Sequence, residues 1–183
     1  LFERMLSRPT ATVEKETKEK DGLKVKKKAA VKHLLVRYND HLKSKNFPGT
    51  IVAHLEIAQK LGYVWFGKIG KTIRKDYITY VKNEKRPVFV YFLKTKAKNC
   101  ELYQARILDI TTNDVRLTPE KKHVPEYYQE TISEVGFWIK IGDLEKKSTE
   151  IMTNIIVSSS RSPLLESLVS VAGVMFVEIE SNK

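Results

Sequence analysis

The stretch Lys32–Trp65, KHLLVRYNDHLKSKNFPGTIVAHLEIAQKLGYVW, decides the fold, because it runs from an apolar segment through a capped helix to an aromatic pair on a strand. His33-Leu34-Leu35-Val36-Arg37-Tyr38 is short, apolar and ends in an aromatic, as a buried strand does, and Asn39-Asp40 follows as a turn signal. After Pro48-Gly49, Thr50 is placed to be an N-cap. Ile51, Leu55 and Ala58 recur on one helical face, and Gly62 supplies the left-handed residue that ends a helix. The expectation is a helix over residues 51–61. Tyr63-Val64-Trp65-Phe66 then reads as a strand whose alternate side chains face opposite ways, Trp65 with Tyr63 and Phe66 with Val64. One of those faces is core and the other is available for a pocket.

Working outward, residues 1–31 form a charged leader with one candidate helix at 13–20, and residues 32–183 form the domain. A hydrophobic content of 42% over 183 residues is enough to bury one core without staples. The single Cys100 leaves no intramolecular disulfide and no cysteine zinc cluster, so a reducing, cytoplasmic setting is expected. No apolar run is long enough to span a bilayer and no signal-peptide pattern opens the chain; a start at Leu1-Phe2 without methionine fits a fragment of something longer.

The net charge is +11, and its placement says more than its total. Residues 68–98 hold ten Lys or Arg against Asp76 and Glu84, whereas from Cys100 onward acids outnumber bases. Such lopsidedness suits a molecule that turns one side to a phosphate backbone, although lysine-rich surfaces also serve solubility alone. Lys68, Lys71, Arg74, Lys75, Lys82, Lys85 and Arg86 are the candidate backbone contacts.

A second helix is expected over 72–83, with Ile73, Tyr77, Tyr80 and Val81 on one side and lysines around the other. Residues 87–93 and 102–110 read as two strands of a hairpin. Residues 111–133 read as a long loop carrying Tyr127 and Tyr128. Strands at 136–141, 155–157 and 174–179 and a short helix at 164–170 complete the chain. Trp138, among alternating large residues, is assigned to the core. The expected fold is α+β, a curled, barrel-like sheet of five to six strands with flanking helices.

The order of strand KHLLVRYND, helix TIVAHLEIAQKL, strand GYVWFGKI, helix, hairpin PVFVYFLK and ELYQARILDI, then GFWIKIGDLEK, resembles the PUA-like superfamily, especially its YTH and EVE branches. Gly62-Tyr63-Val64-Trp65 is similar to the Gly-Val-Trp at the YTH helix end, and Phe137-Trp138-Ile139 to its late tryptophan strand. The resemblance implies a domain that takes a modified base into an aromatic pocket, with Trp65 as one wall. No second tryptophan stands at the other wall, which falls to Tyr127 or Tyr128. In the resembling families the group that reads the base edge lies just after the first strand, which points to Tyr38 and Asn39, the amide being both donor and acceptor. No metal or other cofactor is implied. The expected partner is duplex DNA carrying a methylated base, read for a modification-dependent restriction system of the McrB type whose motor and nuclease lie elsewhere. The alternative is a PUA-like domain reading modified RNA.

Enzymatic readings find less support. Gly70-Lys71-Thr72 hints at a P-loop, but that pattern needs glycine where Trp65 stands. His33, His41, His54 and His123 have no zinc-binding spacing. Ser158-Ser159-Ser160 lacks the glycines of a nucleophile elbow. Asp109 or Asp114 followed by Glu120-Lys121-Lys122 imitates the acid order of metal-dependent nucleases, the least favoured alternative, because Glu120 follows Pro119 in a polar loop. The chain is therefore expected to bind rather than to catalyse.

Overall fold

A computed structural model describes residues 29–40, 48–96, 99–113, 119–168 and 173–180. The expected leader helix at 13–20 lies outside the described residues. Seven strands form one mixed sheet: β1 (His33–Arg37), β2 (Val64–Ile69), β3 (Phe89–Lys96), β4 (Asn99–Thr112), β5 (Val135–Lys147), β6 (Ile155–Val157) and β7 (Val174–Ile179). Their order across the sheet is β2-β5-β4-β3-β1-β7-β6, so the expected five or six strands become seven. Only β1 and β3 pair in parallel among the described strands, and they sit near the middle of the sheet.

That central placement explains the apolar runs that made β1 and β3 conspicuous. A strand covered on both faces needs no polar alternation. Leu34, Val36, Val90 and Phe92 enter one core with Phe66, Ile107, Ile139 and Ile141, while Leu35, Tyr91 and Leu93 enter a second with Met152, Ile155 and Val177. Helices α1 (Thr50–Leu61) and α2 (Lys75–Asn83) contribute Ile51 and Tyr77 to the first core. A third cluster gathers Val124, Tyr128, Val135 and Trp138 under the segment that follows β4. Among the described residues no helix is long and apolar enough to cross a membrane.

Local signals fared unequally. Gly62 ends α1 in the left-handed region at φ 82°, its N–H donating to the Ala58 carbonyl at 2.8 Å, as the sequence predicts. The residue before the helix is Gly49 rather than Thr50, and Thr50 is the first helical residue. The second helix begins at Lys75, not at residue 72, and Arg74 precedes it with extended backbone. The hairpin of β3 and β4 pairs antiparallel as expected, Phe92 facing Tyr103. β5 runs well past Ile141, because Asp143 at φ 51° forms a bulge against β4 that absorbs one residue and lets pairing resume at Glu145.

Candidate nucleic-acid interface

The site starts from the end of β1. Asp40 accepts hydrogen bonds from the Thr50 N–H at 2.9 Å and from the Lys94 ammonium, so one carboxylate ties the end of β1 to the start of α1 and to β3. Burial pushes the Asp40 carboxyl up, but the bonds from Lys94 and Thr50 outweigh it and hold the group ionised below its usual range. The Thr50 hydroxyl donates to the Asn39 carbonyl at 3.1 Å. The Asn39 backbone is thereby fixed while its side chain remains exposed.

Around this anchored turn lies a cavity of about 330 Å³ lined by residues from four separate segments: Arg37, Tyr38 and Asn39; Thr50; Phe66 to Ile69; and Tyr127, Tyr128 and Thr131. Four of the five residues assigned to the pocket from sequence, Tyr38, Asn39, Tyr127 and Tyr128, are thus brought together. The fifth is not. Trp65 is absent from the lining and packs, half-buried, against the cluster of Val124, Tyr128, Val135 and Trp138. The reason is alternation. Its face of β2, shared with Tyr63, is covered by the segment after β4: the Tyr63 ring stacks on His123 at 3.8 Å, with the Lys140 ammonium 3.9 Å from the Tyr63 ring centroid. Phe66 points the other way and reaches the cavity.

The two tyrosines differ. Tyr128 is buried, its hydroxyl donating to the Gly67 carbonyl at 2.7 Å and accepting from the Gly67 N–H at 3.0 Å. It therefore closes both backbone groups of one β2 residue. A side chain at position 67 has no room, since a Cβ would sit 2.7 Å from the Trp138 ring. Trp138 is fully buried, as expected, and its indole N–H donates to Asn113 Oδ1 at 3.1 Å. Tyr127 is half-buried, its ring 4.3 Å from that of Tyr128 and 6.1 Å from the buried His54. Burial, then the neighbouring Tyr128 and Asp40, pushes its hydroxyl pKa up, so it stays protonated.

Sequence reasoning missed Thr131. The residue lines the cavity, and its hydroxyl is buried behind that wall with no hydrogen-bond partner among the described residues. Buried hydroxyls are seldom left unpaired, which sets this one apart from the other polar groups of the wall. No sequence signal singled it out, because a threonine in a polar loop is ordinary. Lys68, expected on the phosphate backbone, also lines the cavity; its ammonium donates to the Arg37 carbonyl at 2.8 Å.

The remaining basic residues do not share one place. Lys71 and Arg74 line a second, larger groove, with Arg74 paired to Asp76. Lys75 opens α2 and is exposed. Lys82, Lys85 and Arg86 lie toward the other end of α2, about 12 Å along the axis from its start. There Lys82 sits 4.0 Å from Asp109, while Arg86 is held by Glu84 and by the Ala29 carbonyl. The seven-residue patch is therefore split, and Arg86 serves the fold. The nuclease alternative gains nothing: Asp109 faces Lys82, Glu120 pairs with Lys122 at 2.9 Å, and Asp114 lies outside the described residues.

The Pua-like family matches the chain over residues 34–170, which run from β1 through β6. No curated protein and no solved structure matches it. The family match indicates nucleic-acid or modified-base binding and nothing finer.

Proposed function

We propose, from the premise that the chain belongs to the Pua-like family, that the cavity at the end of β1 receives one base turned out of a nucleic acid, a methylated base of duplex DNA in the leading reading. The observation that carries it is the joint lining: an exposed amide on a fixed backbone at Asn39, an unpartnered buried hydroxyl at Thr131, and the ring of Tyr127 on one cavity. A volume of about 330 Å³ lies at the small end of ligand pockets. It suits one base rather than a dinucleotide.

The roles follow from chemistry. The Tyr127 ring offers a stacking surface, worth about 1–3 kcal/mol per base. Asn39, able to donate and accept, reads the base edge, and Thr131 offers a second polar contact. Trp65, moved out of the pocket by its strand face, supports the cluster on which Tyr127 rests. Such a domain would act as the specificity part of a modification-dependent restriction system of the McrB type, with cleavage supplied by other segments or subunits. Titration of fluorescent duplexes bearing no modification, N6-methyladenine, 5-methylcytosine or 5-hydroxymethylcytosine, beside matched RNA, tests the proposal. Tighter binding of one modified duplex is expected; equal affinity for all duplexes contradicts base reading, and a preference for RNA transfers the reading to a modified RNA.

A further inference from the structure

Beside the base cavity lies a groove of about 670 Å³ whose lining joins two distant parts of the chain: Lys71, Thr72 and Arg74 before α2, and the serine turn with the start of β7. Ser159, Ser160 and Ser162 come from that turn, which backbone hydrogen bonds hold closed. The Val157 N–H donates to the Ser162 carbonyl at 2.9 Å, the Arg161 N–H to the Val157 carbonyl at 2.9 Å, and the Ser158 N–H to the Phe176 carbonyl at 2.9 Å. Arg161 itself takes a left-handed conformation at φ 59° and turns its guanidinium to Glu178 at 2.6 Å, leaving the serines to face the groove. The turn thus places three serines on the groove, with the Ser160 hydroxyl accepting the Ser162 N–H at 3.3 Å and keeping its own proton to donate.

Its charge is one-sided. Among the described lining residues are two cations and no carboxylate. Arg74 is tied to Asp76, but Lys71 has no acidic partner among the described residues. The groove also adjoins the base cavity: Gly173 lines it, and a Cβ built there would lie 3.8 Å from the Lys68 side chain and 3.9 Å from that of Lys71. Burial, then the positive charge of Lys71, lowers the Lys68 ammonium, so two like charges press on each other where the cavity and groove meet. An anion at that junction relieves the repulsion.

We infer that the groove is a phosphate track: it takes the phosphodiester oxygens of the strand whose base enters the cavity, with Lys71 as its cation and Ser159, Ser160 and Ser162 as neutral donors. The inference rests on the base-cavity reading for which strand is held, but not for the binding of phosphate itself. Charge decides the class of ligand, since hydroxyls with an unopposed ammonium match an acceptor-rich anion. Continuity decides which phosphates, because the nucleotide in the cavity has its own backbone within reach of Lys68 and Lys71. The serine turn, which failed as a nucleophile, thereby acquires a use.

The test uses the full chain and duplexes with and without the preferred modification, some carrying a single methylphosphonate near the modified base. Lys71→Gln keeps the aliphatic stem and removes the charge. It should lower the slope of log affinity against log salt by about one unit on both duplexes while leaving their ratio intact. Ser159→Ala with Ser160→Ala should weaken both about three- to tenfold. On a duplex whose one groove-facing phosphate is already neutral, Lys71→Gln should cost no more. Lys60→Gln, exposed in the last turn of α1 and on neither the cavity nor the groove, is the control and should leave the slope as it was. An unchanged slope in Lys71→Gln, with losses that add at every methylphosphonate position, overturns the track. If the slope falls while modified and unmodified duplexes bind alike, the track stands and the base reading fails.

Discussion

The two sides of the cavity at the end of β1 are built to opposite rules. On one side Tyr128, Gly67 and Trp138 interlock: a ring with its hydroxyl on both backbone groups of Gly67, and a glycine with no room for a methyl. On the other, Asn39 stands exposed on a backbone fixed through Asp40 and Thr50. The first side has every polar group used within the protein; the second leaves its amide to the solvent. Aromatic residues beside a cavity are therefore poor guides to recognition by themselves. What separates scaffold from reader is whether the polar atoms are already paired.

The largest effect that separates the sides concerns Trp138. Trp138→Ala should cost about 3–5 kcal/mol by emptying a fully buried site, seen as a lower midpoint in chemical denaturation. Asn39→Ala should leave that midpoint nearly unmoved. A mild Trp138→Ala would break the comparison, because the interlocked side would then be pliable.

Next comes pH. His33 and His54 are buried, and burial lowers each to about 4, below the unfolded 6.5. His33 accepts the Phe89 N–H at 3.1 Å, a role that needs the neutral ring. Between those values the unfolded chain binds more protons than the folded one. Their contribution is thus complete above about pH 6.5 and is lost as pH falls toward 4, on the order of 3 kcal/mol per histidine. Denaturation midpoints measured from pH 7.5 down to 4.5 should decline. His54→Gln should decline less steeply, and a flat profile would show that the scaffold tolerates protonated rings.

A smaller effect sharpens the contrast between neighbours. Tyr128→Phe removes the hydroxyl that serves the Gly67 N–H and carbonyl and should cost about 1–3 kcal/mol of stability, with the preference for a modified base unaltered. Tyr127→Leu should do the reverse, keeping the fold and losing about 1–3 kcal/mol of modified-base binding. Parallel melts and titrations of the two variants check both halves.

The record of the sequence follows the same division. Strands β1 and β3 were legible because central strands buried on both faces are apolar throughout, and Gly62 because only a left-handed residue ends α1 there. The resemblance puts Trp65 in the pocket, but alternation defines two faces of β2 without saying which one a later segment covers, and residues 121–128 cover the one it occupies. The Asp143 bulge was hidden because Gly142-Asp143 carries the signature of a turn. Thr131 and the serine turn were hidden for a different reason: hydroxyls in polar loops become informative only when burial or a shared groove singles them out.

The most direct test is the discrimination ratio of Asn39→Ala, measured as the affinity for a modified duplex over that for its unmodified twin at one salt concentration. If the exposed amide reads the base, the ratio falls by the equivalent of about 1–3 kcal/mol while unmodified binding and the melting midpoint stay at their original values. A folded Asn39→Ala protein that keeps the full ratio contradicts the assignment and moves recognition away from the end of β1.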